Sequence, residues 1–358
     1  MQKSDVFFIE LSGDSTIQER IEATRTILQN IDLKKIFRAN EKIGIKLHVG
    51  ERHNDTHVSW ELVREIVSKA KETKAAPFLT ETSTLYKGAR SNAIDHLIHA
   101  FSHGFTYENV GAPFIMADGL TGNTEIEVPI PGELFKSVNI AREIVLAEGL
   151  VAVSHPTGHV EAGLGACLKN LGMGLSSRIG KLRQHSSIKP YIDEKRCTLC
   201  KRCIKWCPVE AIVERNGKAF ILEEKCIGCG ECLAVCTDDA VKYNWGIQSE
   251  ELQKRIAEHA LGVVIDKREK SLFLNFLIDM TKDCDCMGTK QKKIVPDIGI
   301  LASRDPVAID QATLDLTKEK FGKSLAETAW PYLDATIQLE HAAKIGLGSR
   351  DYRILKIK

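Results

Sequence analysis

The chain has 358 residues, 49 Lys and Arg against 48 Asp and Glu for a net charge of +1, and is 43% hydrophobic and 27% charged. This is the composition of a folded protein of two or three units, and it argues against a disordered chain, a polycation for nucleic acid or an acidic tail. No window supplies the about 18 uninterrupted apolar residues of a membrane span, and the N-terminal MQKSDVFFIELSGD lacks the apolar run of a secretory leader, so no membrane partner is expected.

In chain order, Val6–Leu11 is a short apolar run that predicts a strand. Ile17–Ile31 has helical spacing behind two capping candidates, Asp14 and Ser15. Lys42–Val49 predicts a strand, Trp60–Lys71 a helix, Ala76–Thr80 a strand and Arg90–His103 a helix. Phe114–Ala117 predicts a strand closed by the turn signal Asp118-Gly119. Glu125–Ile130 predicts an edge strand, because Pro129 lacks the N–H that an interior strand needs. Ser137–Glu148 predicts a helix and Leu150–Ser154 a strand. After Ser187 the apolar periodicity stops, and a Cys-rich stretch runs from Tyr191 to about Tyr243. Ser249–Leu261 then predicts a helix, Leu272–Asp279 and Asp297–Ala302 strands, and Pro306–Phe321 and Ala335–Ile345 helices. The alternation predicts an α/β fold, a mostly parallel sheet with helices on both faces. That domain is expected over residues 1–189 and 246–358, interrupted at 190–245 by a small α+β insertion.

Eleven cysteines are present, eight of them between Cys197 and Cys236. Tight clustering, an odd total and no leader predict metal-binding thiolates in a reducing cytoplasm rather than a disulfide scaffold. The stretch is an internal repeat: Cys197, Cys200, Cys203 and Cys207 recur 29 residues later as Cys226, Cys229, Cys232 and Cys236, and Ala211 recurs as Ala240. C-x2-C-x2-C-x3-C wraps three corners of a cubane cluster, and the last Cys of each run serves the other cluster. One [4Fe–4S] cluster is therefore expected on Cys197, Cys200, Cys203 and Cys236, and a second on Cys226, Cys229, Cys232 and Cys207. A zinc ribbon would separate two C-x2-C pairs by a longer gap. Pro208 follows Cys207, Thr237 stands at the matching second place, and Gly228 and Gly230 suit a loop passing close to sulfide. Over this stretch the chain resembles bacterial two-cluster ferredoxins, which implies single-electron transfer. Eight Lys or Arg between Lys181 and Lys205 face only Asp193 and Glu194. They read as a solvated loop that offsets the anionic clusters, or as a docking face for an acidic redox partner.

Ser154–His185 holds the second concentration of chemistry, just beyond a predicted strand end, where α/β sheets bind ligands. It contains His155, His159, Lys169, Asn170 and His185 with Gly163, Gly165, Gly172 and Gly174 between them. The dinucleotide fingerprint fails, since Leu168 and Ser177 occupy the places of its third glycine. Neither a P-loop nor G-x-S-x-G is present. Lys169, His159 and His185 are the catalytic candidates; Lys46, His48 and Glu81, near other strand ends, are further candidates. Cys284 and Cys286 share a face of an extended segment and are candidates for an additional metal, a reactive dithiol or packing. Cys167 reads as a small packing residue.

KLHVGE at Lys46–Glu51, TSTLYKGAR at Thr82–Arg90, ADGL at Ala117–Leu120, the segment from His159 to KNLGMG, and CDC at Cys284–Cys286 resemble one family. It is an uncharacterised set of ferredoxin-bearing proteins catalogued as a domain of unknown function, and the resemblance implies the inserted ferredoxin without a reaction. More distantly, His159, Ala162, Gly163, Lys169 and the later His185 resemble the motif of nickel-pincer lactate racemases. There the resemblance implies that Lys169 anchors a cofactor, His159 acts on a substrate proton and His185 binds nickel. Ala166-Cys167 stands where those enzymes have Gly-Gly. The expected function is electron transfer by two [4Fe–4S] clusters to or from a site in the α/β domain or a redox partner protein, as an oxidoreductase. The alternative is a racemase-like or cofactor-handling enzyme acting through Lys169, His159 and His185 on a small anionic substrate.

Overall fold

The computed structural model describes residues 3–357 except 87, 186–188, 227–230 and 243–248. Cys229, Gly228 and Gly230 thus lie outside the described residues.

One eight-stranded sheet organises the chain, in the order Tyr352–Ile357, Ser4–Glu10, Gly299–Ser303, Ser271–Leu277, Gly149–Ser154, Lys42–Lys46, Ala76–Glu81 and Phe114–Met116. Gly299–Ser303 is antiparallel to both neighbours, and every other pairing is parallel. The central strand Gly149–Ser154 is buried throughout, as an apolar run covered on both faces must be. Its side chains alternate: Leu150 and Ala152 enter one core, Val151 and Val153 the other. The first core is closed by residues of the helices Ser249–Val264, Pro306–Phe321 and Thr336–Lys344, including Leu261, Ala312 and Leu339. The second is closed by Ile27 and Leu28 of Ile17–Gln29 and by Leu62 and Ile66 of Trp60–Lys71. The protein is thus an α/β fold with a mostly parallel sheet covered on both faces. Among the described residues no helix is long and apolar enough to cross a membrane.

Two local expectations are corrected. The helix at Ile17 is capped by Thr16, whose hydroxyl accepts from the Glu19 N–H at 3.3 Å, and not by Asp14 or Ser15. Ser15 is engaged instead in donating to buried Asp297 at 2.6 Å. Ser137–Glu148 is not one helix: Ser137–Ala141 pairs antiparallel with Glu125–Pro129, and only Arg142–Leu146 is helical. Buried Val138, Ala141 and Ile144 recur at helical spacing, while Val138 and Ile140, two apart, share one face of a strand. The Gly-rich segment after Ser154 forms a short hairpin, Thr157–His159 against Gly163–Gly165.

The Cys-rich segment builds its own small core from Cys197, Cys203, Ile212, Ala219, Ile221, Cys232, Ala240 and Val241. Its first and last strands, Tyr191–Ile192 and Val241–Lys242, pair antiparallel, so the chain enters and leaves at neighbouring points. Between them Ile212–Arg215 pairs with Lys218–Ile221. The two-residue loop Asn216-Gly217 has φ of 51° and 70°, the left-handed pair that a type I′ turn requires. Short helices Arg202–Trp206 and Glu231–Val235 occupy equivalent places in the two halves of the repeat.

Candidate functional site

Four adjacent parallel strands end on one edge of the sheet, at Lys46, Glu81, Ser154 and Leu277. Beyond that edge lies a cavity of about 230 Å³, where helix and strand connections of an α/β sheet leave room for a ligand. Lys169 reaches it from the helix Cys167–Gly172, His159 from the short hairpin and His185 from the end of Arg178–His185. Lys46, His48, Glu81, His155, Cys284 and Cys286 line the same cavity.

The inner wall is a buried charge network. Glu81 lies 3.2 Å from the Lys46 amine and 2.8 Å from His96 Nε2. Arg90 donates to Glu51 at 3.1 Å and to the Tyr86 hydroxyl at 2.6 Å, and its Nη1 stands 3.1 Å from His48 Nε2. Burial opposes the charge on Glu81, yet Lys46 and its other neighbours carry its pKa well below the usual carboxylate range. Burial, reinforced by Arg90, pushes His48 well below the ordinary histidine value. His48 is therefore neutral and the wall keeps its ion pairs.

Lys169 differs from these residues. No described residue forms an ion pair or hydrogen bond with its amine. Burial, with Arg90 and Lys46 nearby, lowers its pKa to about 8. Burial and the Lys169 charge push His185 down to about 3 and His159 well below its ordinary value. His159 Nδ1 accepts the Ala162 N–H at 3.0 Å, which leaves Nε2 as the protonated nitrogen of the neutral ring. Five basic groups, Lys46, Arg90, Lys169, Lys181 and His155, line the cavity against two carboxylates, Glu81 and Asp285. Both carboxylates are already paired, so the surplus positive charge faces the open volume. The buried Thr157 hydroxyl, also on the wall, has no hydrogen-bond partner.

Asp285 and His155 line the cavity as well. His155 Nδ1 lies 2.9 Å from Asp285 Oδ2, and its Nε2 lies 2.8 Å from the Ile278 carbonyl. Two acceptors require two ring N–H groups, so the imidazole is protonated. Burial works against that charge, and Asp285 outweighs it, raising the His155 pKa. Flanking Asp285, Cys284 and Cys286 are joined to each other as a disulfide.

Sequence spacing did not find Arg90, Lys181, Asp118, Tyr86 or Asp285. Arg90 had been placed in a helix, but that helix begins at Ala93, capped by Asn92, and Arg90 turns inward. Lys181 is no part of a solvated basic loop. It is buried, donates to the Thr82 hydroxyl and the Ser176 carbonyl, and is lowered to about 7 by burial against the opposing pull of Asp118. Burial of a charge has no periodicity, so only the fold reveals such residues.

In the Cys-rich segment the Cys203 thiol is raised by burial and then by the charges of Cys236, Cys200 and Cys197, which therefore surround it. Backbone N–H groups reach two sulfurs at equivalent places of the repeat: Ala211 to Cys207 at 3.1 Å and Ala240 to Cys236 at 3.2 Å. The Arg202 N–H and guanidinium lower the Cys200 thiol. Cys232 belongs to the same small core, and Cys207 and Cys226 pack against it. Among the described residues no three or more His, Cys, Asp or Glu side chains form a group that could hold a metal ion. Leu233, next to Cys232, packs against the buried pair Leu85 and Leu182, and Leu85 lines the cavity.

Among solved structures the chain is similar to the lactate racemase apoprotein from Thermoanaerobacterium thermosaccharolyticum, with 15% sequence identity and a TM-score of 0.39, covering 76% of this chain and 51% of that one. It is also similar to a protein from Thermotoga maritima, with 10% identity and a TM-score of 0.43, covering 89% of this chain and 60% of that one. The chain thus spans between half and two thirds of the length of each. No curated protein matches it. The family described as Domain of unknown function (DUF362) matches residues 43–315, and the chain belongs to that family.

Proposed function

We propose that this protein is an oxidoreductase with two [4Fe–4S] clusters in its Cys-rich module and a small anionic substrate in the cavity. Cys197, Cys200, Cys203 and Cys236 would hold one cluster, and Cys226, Cys229, Cys232 and Cys207 the other. The donor chemistry supports it: the charges of Cys236, Cys200 and Cys197 act on Cys203, and backbone N–H groups reach the sulfurs of Cys207 and Cys236. A cubane gives each thiolate its own iron, so its ligands need not meet at one point as those of a single ion must. When bound, such clusters supply single electrons at low potential. The observation that supports the reading is the packing of Leu233, beside Cys232, on the pair Leu85 and Leu182, of which Leu85 lines the cavity.

The chain's own residues have separate tasks in this reading. Lys169 binds the anion with its unpaired amine. Neutral His159 and His185 hold or move protons beside it. The Glu81–Lys46–Arg90 network keeps the wall rigid and cationic. Anaerobic purification with iron and sulfide analysis, followed by chemical reduction and mixing with small carboxylates or phosphates, tests it. One such anion should speed reoxidation of the wild type and leave Lys169→Ala unaffected. A chain devoid of iron and sulfide would refute the reading.

A second reading is favoured by the two neutral imidazoles beside Lys169. They form a pair of bases suited to removing and replacing a proton on a bound carboxylate, without net electron transfer. Deuterium uptake from solvent at the carbon next to the carboxylate, independent of cluster reduction, would select it.

A further inference from the structure

Cys284 and Cys286 do not serve as a structural brace. A disulfide stabilises a fold mainly by restricting the unfolded chain, and the effect grows with the length of the loop it closes. This one spans two residues, the shortest end of that scale. The segment is also held without it. The Cys284 carbonyl accepts from Met287 N–H at 2.9 Å, and the Asp285 carbonyl accepts from Glu51 N–H at 2.9 Å. The Asp285 side chain accepts from Thr56 at 3.0 Å and pairs with His155. The sulfur–sulfur bond can therefore open and close while the backbone stays in place.

Its position is functional. Both cysteines line the cavity, and Cys286 also borders an outer cleft with Tyr86 and Glu51. A Cβ added to Gly165 would stand 3.6 Å from Lys169 Cδ and 3.9 Å from Cys284 Cβ, so Lys169 and Cys284 flank the same glycine. A thiol released at Cys284 would thus open beside the glycine that the Lys169 side chain also borders. Leu85, also on the wall, forms with Leu182 the pair on which Leu233, beside Cys232, packs.

We propose that Cys284 and Cys286 are a redox-active pair that serves the cavity as a two-electron store, filled from low-potential one-electron carriers of the iron–sulfur class. The source of the electrons rests on the cluster reading above; the redox activity of the pair does not. In the filling direction the S–S bond breaks, two electrons and two protons are taken up, and two S–H bonds form. In the reverse direction the bond re-forms, and two electrons and two protons pass to an anion in the cavity that carries a group reducible by two electrons. Two one-electron carriers match the demand of one disulfide.

The test uses the full chain purified anaerobically and equilibrated with oxidised glutathione. Alkylation under denaturing conditions, read by peptide mass spectrometry, should leave Cys284 and Cys286 blocked before phosphine treatment and modify both after it. Dithionite titration should take up about four electrons per chain in the wild type and about two in Cys284→Ser, with the reduced-cluster signals unchanged. Free alkylation of both cysteines before phosphine would overturn the proposal, and that arm needs no variant to fold. Equal electron counts in the two proteins would overturn it as well. So would a metal other than iron that copurifies and is lost from the double Ser variant. A chain without iron and sulfide would remove the cluster reading and the filling route, while the alkylation pattern still decides the pair.

Discussion

His155 and Asp285, 130 residues apart, form a buried ion pair with Nδ1 2.9 Å from Oδ2, and this contact ties the end of the central strand to the segment carrying Cys284 and Cys286. Neither side chain is more than 4% exposed, so leaving one charge alone is costly. Asp285→Asn should lower stability by about 3–5 kcal/mol in denaturant unfolding.

The same pair sets a pH dependence. The His155 pKa is raised in the fold, so its contribution is full below the unfolded value of about 6.5 and is lost as pH rises through the folded value. The Asp285 pKa is depressed, so its contribution is full above the unfolded value of about 3.9 and is lost as pH falls. The stability difference between wild type and Asp285→Asn should therefore peak between about pH 4 and about 6.5. A difference that stays flat from pH 4 to pH 9 would show that the pair is not ionic.

Lys169→Ala should weaken binding of small carboxylates or phosphate by about 10- to 100-fold, the range for losing a charged hydrogen bond. Iron content should not change. In the wild type, binding followed by calorimetry should weaken as pH rises past about 8, where the amine loses its proton.

Cluster analysis of the wild type should find about eight iron and about eight sulfide per chain. Cys207→Ser should damage the cluster held by Cys226, Cys229 and Cys232, and spare the one held by its sequence neighbours. Electron paramagnetic resonance of the reduced variant distinguishes the two. Selective loss of the other signal would refute the crossed ligand sets.

Replacing residues 190–245 by a short Gly/Ser linker should leave a folded α/β domain, read by circular dichroism and a cooperative melt. Tyr191 and Lys242 pair directly, so the gap to be bridged is short, and loop length alters stability by only about 0.6 kcal/mol per doubling. Global unfolding would mean that the contact of Leu233 with Leu85 and Leu182 belongs to the main core.

The sequence alone carried the alternating elements, the covered parallel sheet and the repeat of four cysteines at a 29-residue offset. These are legible because periodicity and ligand spacing are properties of contiguous residues. Lys169, His159 and His185 were legible for the same reason, as a Gly-rich run just past a strand end. The period failed at Ser137–Ala141, where Val138 and Ala141 fit a helix and Val138 and Ile140 a strand, and pairing with Glu125–Pro129 decided between them. Lys46, His48 and Glu81 were candidates at other strand ends; which groups share one cavity was decided only by the tertiary structure. Lys46, Glu81, Arg90 and Asp285 are far apart in the chain, and they meet because parallel strands bring their carboxyl ends to one edge. Their charges survive burial because each finds its partner there, and nothing in the local sequence of any one of them names that partner.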